Sequence, residues 1–217
     1  MRLIFFLLPY LNPILIPAQS NIQKGEIAIK WDPLRLVNPF NSTIQVGVEY
    51  GITESLSVQS DVGTNSNIFN STYYNKSIFI IHNQLKKFKR HGHFYGLDLF
   101  YMHAKDYSSF RCLYDKNKKI SSDYDSVMLI KNAPGIAVIA GRQLIFGNVT
   151  VDLFFGGGLR LITNKPEYKT QTIHPPNWEC ATTHFAWHND KYSGTFAAGH
   201  ISLGIKLGYL LNRKRTD

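Results

Sequence analysis

The chain of 217 residues carries a formal net charge of +9, two cysteines and a slightly negative mean hydropathy. Its length suits one undivided all-β domain, and no segment beyond the N-terminus is apolar for long enough to be a membrane helix. The charge by itself suggests an anionic partner, but much of it is confined to KKFKRH (residues 86–91) and NRKR (residues 212–215).

The first element in chain order is the stretch MRLIFFLLPYLNPILIPAQS. One early charge, Arg2, precedes a greasy run from Leu3 to Ile16, and small residues follow at Ala18 and Ser20. The run is too short to span a bilayer, and Pro9 and Pro13 break it as a helix. It is expected to be a signal peptide over residues 1–18, leaving residues 19–217 as the exported domain. No cysteine stands at the cleavage site, which argues against a lipid anchor there.

From there a period of two recurs, the mark of half-buried strands. GEIAIKW sets Ile27, Ile29 and Trp31 against Glu26, Ala28 and Lys30. TIQVGVEYGI sets Ile44, Val46, Val48, Tyr50 and Ile52 against Gln45, Gly47, Glu49 and Gly51. SLSVQSDVG and PGIAVIAGRQ alternate more weakly, and SIFIIHNQLKKF places Asn83 on its apolar face. FYGLDLFYM opposes Tyr95, Leu97, Leu99 and Tyr101 to Gly96, Asp98, Phe100 and Met102. HISLGIKLGYLL opposes Ile201, Leu203, Ile205, Leu207, Tyr209 and Leu211 to His200, Ser202, Gly204, Lys206 and Gly208.

The glycine run in VTVDLFFGGGLRLIT (residues 149–163) obeys the same rule. A phosphate loop needs glycines at set spacing followed by a helix, commonly opening with Gly-Lys-Ser/Thr. Here the alternation passes straight through, with Val149, Val151, Leu153, Phe155, Leu159 and Leu161 opposite Thr150, Asp152, Gly156, Gly158 and Arg160. The glycines mark a crowded strand surface.

Eight strands are therefore predicted near residues 25–36, 43–51, 55–63, 77–88, 93–105, 126–142, 148–163 and 198–211. The connections ITE, KRHG and LIFGN are short. Those after strands three, five and seven are longer, the last running from about Asn164 to Gly194, and only the first connection on that side is short. That alternation is the habit of membrane β-barrels. A soluble ligand-binding barrel would carry a charged outer face and an apolar cup. One face here is almost unbroken aliphatic and aromatic, a patch far larger than a soluble monomer tolerates. In lipid the same face is favourable, and closure satisfies every backbone group. The other face mixes glycine with Glu26, Lys30, Glu49, Asp98, Asp152, Arg160 and Lys206, which are expected to neutralise one another in a narrow lumen. The expected fold is all-β, an eight-stranded antiparallel up-and-down transmembrane β-barrel with long extracellular loops and short periplasmic turns. Side chains fill a barrel of this strand number, so free passage of solutes is not expected.

The segments LRLVNPFNSTIQVGVEYGITESLSVQSDVG, IIHNQLKKF, FYGLDLF, VDLFFGGGLR and ISLGIKLGYLL, in that order, cover most of the mature chain. They resemble the small outer-membrane β-barrel proteins of the Bacteroidetes, especially those grouped under the domain of unknown function DUF3575. Ser202, Gly204, Leu207 and Tyr209 also resemble the assembly signal read by the outer-membrane insertion machinery. The chain departs from the usual pattern by running on to Asp217, and by having Gln84 and Lys86 where the family tends to carry an acidic residue and an arginine. The resemblance implies an outer-membrane location, with lipid and the barrel assembly machinery as partners.

Three constellations carry possible chemistry. CATTHFAWH spaces Cys180, His184 and His188 four apart, as zinc ligands on a helix would be. The surrounding loop is rich in Pro, Asn and Thr, and no metal or other cofactor is expected. His200 and Ser202 share the His-x-Ser spacing of outer-membrane lipid A deacylases, but alternation turns both toward the lumen, away from a lipid substrate. No catalytic residue is expected. The run Lys86, Lys87, Lys89, Arg90 and His91 is read as cations snorkelling to headgroups from a short turn, on the same side as Arg213 to Arg215, and not as a nucleic-acid site. Cys112 and Cys180 fall in outer loops two strands apart and are expected to be able to form a disulfide. The expected function is non-enzymatic, a monomeric envelope component whose loops structure the surface or bind an unidentified extracellular partner. A lipid-modifying enzyme and a narrow pore are the alternatives.

Overall fold

The structure, a computed structural model, describes residues 21–35, 42–65, 76–108, 111–115, 120–124, 127–168, 171–174 and 192–213. The signal-peptide stretch, Cys180, His184 and His188 lie outside these residues. The described strands are β1 (Ile27–Trp31), β2 (Thr43–Gly51), β3 (Leu56–Asn65), β4 (Lys76–Phe88), β5 (His93–Ser108), β6 (Arg111–Asp115), β7 (Ile120–Tyr124), β8 (Val127–Phe146), β9 (Val149–Tyr168), β10 (Gln171–His174) and β11 (Tyr192–Leu210). No α-helix occurs among the described residues.

Eight strands pair antiparallel in the order β1-β2-β3-β4-β5-β8-β9-β11. Pairing of β1 with β11, from Ala28 opposite Leu210 to Trp31 opposite Leu207, closes the sheet into a ring. Following partners around it from Ala28 leads through Glu49, Gln59, Gln84, Asp98, Ala137 and Gly158 to His200 on β11. Ala28 itself faces Leu210, ten residues further along that strand. A stagger of that size, at ~3.3 Å per residue over eight spacings of ~4.8 Å, tilts the strands by roughly 40°.

The alternation read from the sequence sets the two faces of this ring. Ile44, Val46, Val48 and Tyr50 of β2 point outward, while Gln45 and Glu49 are buried inside. On β9 the outward row is Val149, Leu153, Phe155, Leu159 and Leu161, with Thr150, Asp152 and Phe154 buried. Gly156 and Gly158 lie on the inner row, where a Cβ would overlap the carbonyl oxygens of Val138 and Ile136 on β8. On the outer row, a Cβ on Gly157 would meet only the His200 carbonyl oxygen, at an ordinary contact distance of 3.9 Å. Other inner glycines leave room for large rings: a Cβ on Gly204 would strike Phe154, and one on Gly135 would strike Phe100.

At one rim the connections are short: residues 52–55, 89–92 and the two-residue turn Gly147–Asn148, in which Gly147 takes the left-handed φ of 59° that such turns favour. At the other rim β6, β7 and β10 form a small sheet continuing from β11, with β6 parallel to it. Several boundaries differ from those predicted. β1 is confined to Ile27–Trp31, β8 runs through Leu144 and Ile145 to Phe146, and β9 extends to Tyr168. β11 starts at Tyr192, and β10 lies within what was read as a single long loop. The β9 and β11 extensions are mostly small or polar on both faces, and the β8 extension is apolar on both, with Ile145 buried between Leu144 and Phe146, so none of them shows a hydrophobic period of two.

The interior at the short-turn rim is apolar. Phe88, Phe94, Ile139, Ile145, Phe154 and Leu210 gather there, and Ile22 from the N-terminal segment inserts among them. The Ile22 amide donates to Gln143 Oε1 at 3.0 Å, and Asn21 Nδ2 donates to the Glu54 carbonyl at 2.6 Å. The segment preceding β1 thus closes this end of the ring.

Candidate functional site

Above that apolar floor lies the most organised chemistry of the molecule. Four ionisable side chains from β1, β2, β4 and β9 meet in a closed square of alternating charge. Lys30 Nζ lies 3.0 Å from Glu49 Oε2 and 2.8 Å from Asp152 Oδ1. Lys86 Nζ lies 3.3 Å from Glu49 Oε1 and 2.8 Å from Asp152 Oδ2. All four side chains are 0–1 % exposed. Two cations against two anions leave no net charge, which suits a dry interior where an unpaired ion would be costly.

Neutral groups supply the remaining hydrogen bonds. Gln143 Nε2 donates to Glu49 Oε2 at 3.0 Å and to Asp152 Oδ1 at 3.1 Å. Ser57 Oγ donates to Glu49 Oε1 at 2.6 Å, and Lys86 donates to Gln59 Oε1 at 2.5 Å. Gln59 Nε2 in turn donates to Asp61 Oδ1 at 2.7 Å, linking the square to a second ion pair. There Lys206 Nζ donates to Asp61 Oδ2 at 2.6 Å and to Gln84 Oε1 at 3.1 Å. The network spans the ring from β1 to β4 to β9 and fills its interior with side chains.

The seven residues predicted for the interior all lie on the inner face, but not in one network. Lys30, Glu49 and Asp152 belong to the square, and Lys206 to the second pair. Asp98 instead meets His82 Nδ1 at 3.0 Å. Glu26 sits at the floor, accepting from the Gln23 amide at 2.7 Å. Arg160 lies half-buried further along β9. Lys86 is a correction to the sequence reading: it does not snorkel outward but is buried in the square, whereas Lys87 and Lys89 beside it do face out. Sequence reasoning also missed Ser57, Gln59, Asp61, His82, Gln84 and Gln143. The alternation in β3 and β4 already placed the first five, and Lys86, on the polar face.

Further along the interior, Phe100 is stacked on His82 with ring centroids 5.5 Å apart, and its centroid also lies 4.2 Å from that of the tilted His200 ring. His200 Nε2 is 2.9 Å from Ser202 Oγ. The pair noted in the sequence is therefore real, and both residues point into the ring. Among the described residues no carboxylate hydrogen-bonds the His200 imidazole to orient it. Among the described residues no three His, Cys, Asp or Glu side chains are grouped to hold a metal ion. Cys112 lies in β6, and its proposed disulfide partner is outside the described residues.

The outer face is the reverse of the inner one. Ile201, Leu203 and Phe155 are 78 %, 69 % and 66 % exposed, and they belong to a band that continues through Val46, Val48, Leu97, Leu99, Ile136 and Val138. No family model, curated protein or solved structure matches the chain.

Proposed function

We propose that this closed sheet is a transmembrane β-barrel of an outer membrane, non-enzymatic, which carries its long-connection rim at the cell surface as a structural or binding element of the envelope. The observation that carries this reading is the inversion of polarity: charge is buried inside the ring, and a continuous apolar band faces out. Such a band is unfavourable in water and favourable in hydrocarbon. Aromatic placement supports it. Tyr50, Tyr95, Phe146 and Tyr209 are exposed toward the short-turn rim, and Phe79 and Tyr101 toward the other, as in the interfacial girdles of such barrels. Outward Lys87 and Arg142 near the short-turn rim are placed to reach headgroups. No helix among the described residues is long and apolar enough to cross a membrane, which says nothing of strands.

The charge square and the Ile22 floor favour a sealed interior over a pore. Inward His200 and Ser202 favour a packing role, because a lipid substrate approaching from the membrane would meet Ile201 and Leu203 instead. Electrophoresis tests the barrel reading. Protein extracted from membranes in detergent should migrate differently before and after boiling, because a closed sheet has no edge from which to unravel. Recovery in a soluble fraction without detergent, with a single mobility, would refute it. Lipid A of altered mass in a deletion strain would instead support the enzyme alternative.

A further inference from the structure

The apolar band has one interruption. The outward row that runs through register partners from Ile29 contains Val48, Ser60, Asn83, Leu99, Ile136, Leu159 and Gly199. Ser60 and Asn83 are its only polar members. Both are exposed, and Ser60 Oγ donates to Asn83 Oδ1 at 2.7 Å. Asn83 lies midway along the outward row of β4 between Phe79 and Lys87, and Ser60 midway along that of β3 between Leu56 and Thr64. Around them are Val58, Val62, Ile81, Leu85, Leu97 and Leu99.

The carboxamide nitrogen of Asn83 makes no hydrogen bond within the described residues. If the chain spans a membrane as proposed above, on which this inference rests, two N–H donors stand at mid-depth where acyl chains offer no acceptor. A polar group at that depth marks a contact with protein. We infer that the outer face of β3 and β4 is an interface with a second copy of this chain, formed around Asn83 and Ser60. A carboxamide carries both donor and acceptor, so two Asn83 side chains related by a two-fold axis can bond to each other, as an isologous interface requires. The flanking valines and leucines are short enough to let the two outer faces meet. This departs from the monomer expected from the sequence.

The test is cross-linking in membranes with a thiol-to-thiol reagent, using Val62→Cys in a chain whose native cysteines are replaced by serine. The expected product has twice the chain mass and contains this chain alone. Adding Asn83→Leu should reduce its yield at least tenfold while the protein keeps its mobility shift on boiling. A heat-shifting protein that gives no product, or whose product is unchanged by Asn83→Leu, overturns the dimer and leaves the barrel reading standing. A product with a different protein overturns it in favour of a foreign partner. A protein with no heat shift and no membrane association overturns both readings.

Discussion

Lys86 and Lys87 are neighbours in sequence with the same charge, yet one is buried in the square and the other faces out, so they make a controlled comparison. Lys86→Met removes contacts at 2.8 Å to Asp152, 3.3 Å to Glu49 and 2.5 Å to Gln59, with little change in volume. Two carboxylates then share Lys30 alone, and one negative charge is left uncompensated in the interior. Breaking a buried pair in this way costs about 3–5 kcal/mol. Lys87→Met removes the same formal charge from an exposed site and should change stability by less than about 0.5 kcal/mol. Adding Glu49→Gln to Lys86→Met restores neutrality and should recover part of the loss, a coupling that a double-mutant cycle reads directly. The assay is equilibrium unfolding by urea in detergent micelles, followed by tryptophan fluorescence and by the fraction that shifts on unboiled gels. Equal midpoints for the two methionine variants, or no recovery in the double variant, would refute the buried square.

Other substitutions test the faces and the packing. Leu203→Arg should impair folding into bilayers by ~2–4 kcal/mol, while Leu203→Phe is tolerated; equal tolerance in a refolding assay would mean the outward phase is wrong. Gly204→Ala places a methyl against the Phe154 ring and should cost about 1–3 kcal/mol by urea titration, with much of it relieved by adding Phe154→Ala. Failure of the second change to compensate would show that the two do not touch. Cys112 and Cys180 should resist alkylation in unreduced, unfolded protein and both react after reduction, as mass spectrometry would read; two modified cysteines without reductant would remove the disulfide.

The faces of the strands were legible in the sequence because a period of two needs only local information. Ile201 and Ser202, or Leu153 and Asp152, declare their sides wherever the ring closes. The square was not legible, since it joins Lys30 to Asp152 and Lys86 across the ring through a stagger that no single strand encodes. Lys86 was concealed further by lying in a basic run, where clustering suggests a solvated turn although its parity with Gln84 and His82 puts it inside. Ile22 was missed because it precedes the first strand and follows no pattern. The short strands β6, β7 and β10 gave no signal because RCLYD, ISSDY and QTIH hold too few bulky alternating residues.

Labelling by a membrane-impermeant maleimide tests the central claim most directly. Single cysteines would be placed at Lys165 near the long-connection rim, at Asn148 in a short turn and at Leu203 in the apolar band, with Cys112 and Cys180 replaced by serine. In intact cells only the cysteine at 165 should react. Permeabilising the outer membrane should expose the one at 148, and the one at 203 should stay unreactive until the protein is denatured. Reaction at 148 in intact cells would reverse the topology, and ready reaction at 203 in the native protein would contradict an outward face buried in lipid.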